Sequence, residues 1–125
     1  MKEIMRVKGL KPRGHYALAL IHDGLIFISG QLSKDPETGE NRPGSMKEET
    51  MRALNNVDLI LRECGSSRDK VLKTTAFVGS QDDWAAVNQC YAEFFGTHHP
   101  ARSIVPVGAL NAGLKVEIEV IAAVE

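Results

Sequence analysis

The chain has 125 residues, 43% of them hydrophobic and 25% charged, with 15 Lys and Arg against 16 Asp and Glu for a net charge of −1. That length suits one domain, residues 1–125, with a hydrophobic core of its own, and the composition argues against disorder. The near balance of charge supplies no field for nucleic acid, and no Lys/Arg-rich run is present.

Residues 1–16 are basic and interrupted by Pro12 and Gly14, with Met5 and Val7 placed for a short edge strand. They carry no apolar stretch of the secretory type, and no apolar run in the chain approaches the ~18 residues of a membrane span. A cytoplasmic protein without a membrane segment is expected. Residues 17–21 and 25–29 are apolar and flank His22-Asp23-Gly24. Asp-Gly between two such runs is a strong hairpin signal, because both turn residues must take positive φ. Gly30-Gln31 then breaks the second strand, as a bulge or a close backbone approach does. Residues 33–45 hold two Pro and two Gly and form a surface loop.

Ser45 and Glu48 stand in capping-box spacing at the start of a first helix. Leu54, Val57, Ile60, Leu61 and Cys64 recur along it at helical period, and Gly65 stops it. Arg52, Asn55, Asp58 and Glu63 are expected on its wet face. A β-branched run over 71–78 predicts a third strand. A second helix follows over 82–95, capped by Ser80 or Asp82, with a stripe of Trp84, Val87, Tyr91, Phe94 and Phe95 and with Gly96 at its end. Asn88 lies on that stripe and must find polar partners.

The last two runs, 102–107 and 114–124, are expected to face each other across a Gly-containing turn. Arg102 opens the first, and Glu117 and Glu119 lie inside the second. Leu114, Val116, Ile118, Val120 and Ala122 make one apolar face, while Lys115, Glu117 and Glu119 begin the other and Ile121 and Ala123 end it. A charge on a half-buried strand must be paired or solvated. Arg102 and Glu117 therefore form either a structural cross-strand pair or a site. The element order is β-β-α-β-α-β-β, an α+β fold with two helices on one face of a mixed sheet. Phe77, Ile121 and Ala123 leave the opposite face too apolar to stand open, which predicts a homo-oligomer closed by sheet-to-sheet packing.

Cys64 and Cys90 sit at apolar helical positions and read as buried free thiols. His98 and His99 are adjacent, so in an extended chain they point opposite ways and do not form a metal pair. They read as solvated loop residues.

Six segments together resemble the reactive intermediate/imine deaminase family, also called the Rid or YjgF family. Gly14-His15-Tyr16 looks like its Gly-Pro-Tyr, and Ile28-Ser29-Gly30-Gln31 matches its Ser-Gly-Gln segment. The strand at 71–75 and Val87-Asn88, Tyr91 and Phe94-Phe95 are similar to its central strand and second helix. Pro100-Ala101-Arg102-Ser103 and Val116-Glu117-Ile118-Glu119 match its C-terminal signature. The resemblance implies a chorismate-mutase-like fold, a homotrimer whose sheets form its centre, and clefts between subunits. It implies hydrolysis of reactive enamines and imines, such as 2-aminoacrylate, to 2-oxo acids and ammonia, with no metal or organic cofactor. The family's carboxylate-binding arginine falls on Arg102 and its acidic residue near the hydrolytic water on Glu117. Its cleft tyrosine and asparagine fall on Tyr16 and Asn88, and the Ser29-Gly30 backbone lines the pocket. Many members carry Cys two residues after the arginine. Here that residue is Ile104, whose carbonyl remains able to position a water. His15 replaces Pro and is expected to add a titrating group to the cleft. The alternatives are a regulatory module that binds small carboxylates without turning them over, and RNA cleavage or chaperone-like action.

Overall fold

In the computed structural model, which describes residues 1–124, six strands form one sheet in the order β1-β2-β3-β6-β4-β5. The strands are β1 (Lys2–Ile4), β2 (Ala19–His22), β3 (Leu25–Gln31), β4 (Val71–Val78), β5 (Ala101–Pro106) and β6 (Val116–Ala123). Helices α1 (Met46–Glu63) and α2 (Trp84–Phe95) connect them, and both lie on one face. Among the described residues no helix is long and apolar enough to cross a membrane.

Local chemistry explains most boundaries. Asp23 and Gly24 turn β2 into β3 with φ of 50° and 77°, the double positive φ that Asp-Gly tolerates. The edge strand lies at Lys2–Ile4 rather than at Met5 and Val7, because Val7 instead bridges to Leu10 in a tight turn. Ser45 and Glu48 form the expected capping box, at 3.1 and 2.8 Å. Gly65, at φ 77°, ends α1, and the amides of Gly65 and Ser66 return to the carbonyls of Arg62 and Leu61.

Ile26, Ile28, Ala76, Val78, Ile118 and Val120 bury against Leu54, Val57, Leu61, Val87 and Phe94 of the helices. The opposite sheet face, with Phe27, Phe77 and Ile121, has no layer over it within the protomer.

Four expectations need correction. β5 and β6 do not face each other: β5 pairs in parallel with β4, and β4 separates it from β6. The α2 segment between β4 and β5 permits this, since a parallel crossover needs a connection of that length. Asp58 is buried, not wet, because Arg62 and Arg68 clamp its carboxylate at 2.8 and 3.2 Å. Trp84 is 51% exposed at the start of α2, where no element lies above it, and Cys90 takes the inner position instead. Lys115 precedes β6 and turns its ammonium to Glu49 rather than to the open face.

Candidate functional site

Arg102 stands on the edge strand opposite Thr74, whose side chain is buried under α2. Its guanidinium therefore rises on the helix-covered face. Nη1 donates to Asn88 Oδ1 at 3.0 Å, and the group lies 5.1 Å from the Tyr91 ring centre and 5.6 Å from that of Trp84. Asn88 is exposed on α2, and its expected polar partner is this arginine. Tyr91 is held by Thr74 Oγ1 at 2.9 Å, and burial pushes its phenol up to about 12, so it stays neutral. Among the described residues no carboxylate lies within 4 Å of Arg102. A guanidinium has five donors, and Asn88 uses one. Arg102 lines a cavity of about 480 Å³ together with Asn88, Tyr91, Phe95 and His98. His98 is not a solvated loop residue: its Nε2 lies 2.7 Å from the Val71 carbonyl, and the ring packs edge-on to Phe95. Ile104 shares the helix face with Arg102 and packs against the core.

Glu117 pairs with Phe77 on the opposite face of the sheet. Its neighbours explain its position. Ile28 pairs with Val120 and Gln31 with Ile118, so Ser29 and Gly30 together oppose the single residue Glu119. This is the bulge the sequence predicted. It is glycine at 30 because the Glu117 side chain lies across that backbone, and an added Cβ would collide with the carboxylate. Burial pushes the Glu117 carboxyl above the usual range, Glu119 adds to the shift, and Lys34 opposes it. Ser29 Oγ donates to the Ala17 carbonyl at 2.7 Å, its amide donates to the Leu18 carbonyl at 3.0 Å and its carbonyl accepts from Gln31 Nε2 at 3.0 Å, so the hydroxyl and the backbone of Ser29 are both engaged in the fold. Tyr16 is 49% exposed, with its hydroxyl accepting from the Arg13 amide. Tyr16, Gly30 and Glu117 line a second cavity of about 210 Å³ together with Arg13 and Lys34. His15 is exposed and lines neither cavity of the protomer.

One protomer thus holds two separate clusters. Arg102, Asn88 and Ile104 lie on the helix-covered side, and Tyr16, Ser29, Gly30 and Glu117 lie toward the open side. Arg102 and Glu117 form no cross-strand pair, since β4 intervenes and the two point to opposite faces. Lys34, Arg13 and Tyr91 are site neighbours that sequence reasoning did not place. The first two lie in irregular segments where no periodicity gives a direction.

The family model described as Endoribonuclease L-PSP matches residues 7–124. The chain belongs to the YjgF/Rid family. This family member is 41% identical over 109 residues to the 2-iminobutanoate/2-iminopropanoate deaminase of Capra hircus, which covers 87% of this chain and 80% of the goat protein. It is 40% identical to a RutC family protein of Pyrococcus abyssi across 95% of this chain and 94% of that one. The crystal structure of the Escherichia coli YjgF gene product superimposes with a TM-score of 0.91 at 34% identity, with both chains fully covered. The α+β fold with two helices on one face of a mixed sheet is therefore the family's fold.

Proposed function

We propose that this protein is an imine deaminase that hydrolyses 2-iminobutanoate- and 2-iminopropanoate-type compounds to 2-oxo acids and ammonia. The observation that carries the reading is Arg102: a cation with no carboxylate within 4 Å among the described residues, oriented by Asn88 and two aromatic rings, at the wall of an open cavity. A planar guanidinium grips a carboxylate through two parallel hydrogen bonds. The goat relative, named for such a reaction, supports the assignment.

Arg102 holds the imino acid carboxylate. Glu117 accepts a proton from a water that adds to the carbon of the protonated imine, giving a neutral tetrahedral aminol. The same carboxyl then returns that proton to nitrogen, and as the C–N bond breaks to release ammonia the aminol hydroxyl gives its proton to the Glu117 carboxylate and becomes the carbonyl. The raised Glu117 carboxyl is closer in basicity to water chemistry at neutral pH than an ordinary glutamate is. Imines are reactive already, so positioning and modest proton transfer suffice. Because Arg102 and Glu117 face opposite ways in one protomer, the reading requires a cleft between two protomers. A homotrimer built on the open sheet faces supplies it, and the protein is taken to act in the cytoplasm without metal or organic cofactor.

An amino-acid oxidase generates imines in a coupled assay, and semicarbazide traps whatever is not hydrolysed. Wild type is expected to lower the semicarbazone yield. Arg102→Ala and Arg102→Lys are each expected to lose about 10-fold or more in kcat/KM, because Lys lacks the fork. Full activity in both variants would sink the assignment. Tight 2-oxobutanoate binding without turnover by wild type would favour a regulatory carboxylate-binding module instead. RNA cleavage rests on the family description and on the word endoribonuclease in the names of similar proteins such as one from Thermotoga maritima, and a net charge of −1 gives RNA no attracting field.

A further inference from the structure

The cavity around Glu117 holds more positive charge than its one acid can neutralise. Lys11, Arg13 and Lys34 line it with Glu117, three cations against one carboxylate, for a local balance of +2. The other acids of the adjoining loop are committed elsewhere. Asp35 and Glu40 pair with Arg42 at 3.1 and 3.3 Å, and Glu37 pairs with Lys8 at 3.2 Å.

Two of the cations are held in place. Lys34 bridges to Asn41, and its carbonyl accepts from Asn56 Nδ2 at 2.9 Å, where Asn56 is fully buried on α1. The backbone is thereby pinned where the Lys34 side chain lines the cavity. Among the described residues its ammonium has no carboxylate within 4 Å. Arg13 Nη2 donates to the Gly39 carbonyl at 2.7 Å, which fixes its guanidinium beside the same space. Burial and the charge of Arg13 both act against the Lys34 cation, and Glu117 compensates only in part. A half-buried ammonium held next to a guanidinium is a place where an anion relieves repulsion already present. A cavity of about 210 Å³ has room for a carboxylate group and bound water.

We propose that this cavity is a second anion subsite, and that the preferred substrates are imines of dicarboxylic amino acids. The proposal rests on the deaminase reading: Arg102 takes the α-carboxylate, and Lys34 with Arg13 takes the distal acidic group. Lys34 is then a specificity-determining residue. A neutral side chain offers these cations nothing and leaves them desolvated, which discriminates against it.

The test compares an imine made by aspartate or glutamate oxidase with a monocarboxylic imine of matched length, in the semicarbazide competition assay. For wild type, kcat/KM is expected to favour the dicarboxylic imine by about 10-fold or more, the size of one charge-assisted hydrogen bond. Lys34→Gln is expected to cut that ratio by about 10-fold, and Lys34→Arg to keep most of it. A wild-type ratio near one, or a ratio that Lys34→Gln leaves unmoved, overturns the proposal. Failure of wild type to hydrolyse any imine overturns the deaminase reading instead. Calorimetry then reads the subsite directly, with 2-oxoglutarate against 2-oxopentanoate. Preference for the dicarboxylate that Lys34→Gln abolishes supports the subsite, and equal binding rejects it.

Discussion

At the scale of single residues, the proposed site pairs two ionisable groups in opposite states of satisfaction. Arg102 stands on an open cavity wall, while Glu117 is partly desolvated and sits near a second acid, Glu119. A carboxyl whose folded-state pKa is raised binds its proton more tightly in the folded than in the unfolded chain. The stability linked to it is therefore full below the ordinary glutamate value of 4.5 and is lost as pH rises through the raised value. Glu117→Gln cannot ionise and escapes that loss. Its thermal midpoint relative to wild type is expected to move in the variant's favour as pH rises from about 4 to about 7, while kcat/KM at neutral pH falls about 10²-fold or more. Parallel melting curves across that range, with turnover measured beside them, check both parts. A midpoint difference that is flat with pH would mean that Glu117 is no more burdened than a surface glutamate.

At the scale of elements, a bulge and a buried acid aim the glutamate. The extra residue at Ser29-Gly30 opens β3 where the Glu117 side chain crosses it. Two residues before Glu117, the fully buried Glu49 on α1 accepts from the amide and the ammonium of Lys115 at 2.7 and 3.3 Å, which ties the entry of β6 to the helix. Gly30→Ala would force a Cβ into the far end of the Glu117 side chain, a part that can swing away. The stability cost is therefore expected to stay near 1 kcal/mol, whereas displacement of the carboxylate is expected to lower kcat/KM about 10²-fold. Denaturation midpoints and kinetics on the same preparation separate the two, and equal, small effects on both would place Glu117 outside the chemistry. These elements also mark what a sequence can reveal. The Asp23-Gly24 turn and the Ser45/Glu48 box were legible because their causes lie within a few residues, and the Gly30 bulge was legible because a glycine inside a strand marks it even though its cause, Glu117, lies on β6. Glu49, Asp58 and Lys34 were not, because their surroundings come from Lys115, Arg68 and Asn56, far away in the chain. The expected facing of β5 and β6 failed for the same reason: adjacency in sequence favoured a pairing that the α2 crossover replaces with a parallel one to β4.

At the scale of the whole molecule, the division of the site between two sheet faces becomes a statement about assembly. The open face carries Phe27, 42% exposed, with Phe77 and Ile121, and apolar surface of that kind is normally covered. In a closed ring with head-to-tail interfaces each protomer gives its Arg102 side to one neighbour and its Glu117 side to the other. Arg102→Ala and Glu117→Gln protomers would then each be inactive alone yet complement each other when mixed. A cleft works when its arginine and its glutamate both come from protomers wild type at that position. Random assembly of an equal mixture therefore restores about one quarter of wild-type activity. The two variants, unfolded together and refolded as a mixture, provide the measurement, with each refolded alone as control. Recovery near that fraction requires that Arg102 and Glu117 meet across a subunit boundary. A mixture no more active than its parts, in a sample whose light scattering shows mixed oligomers, would mean that the two residues do not share a cleft.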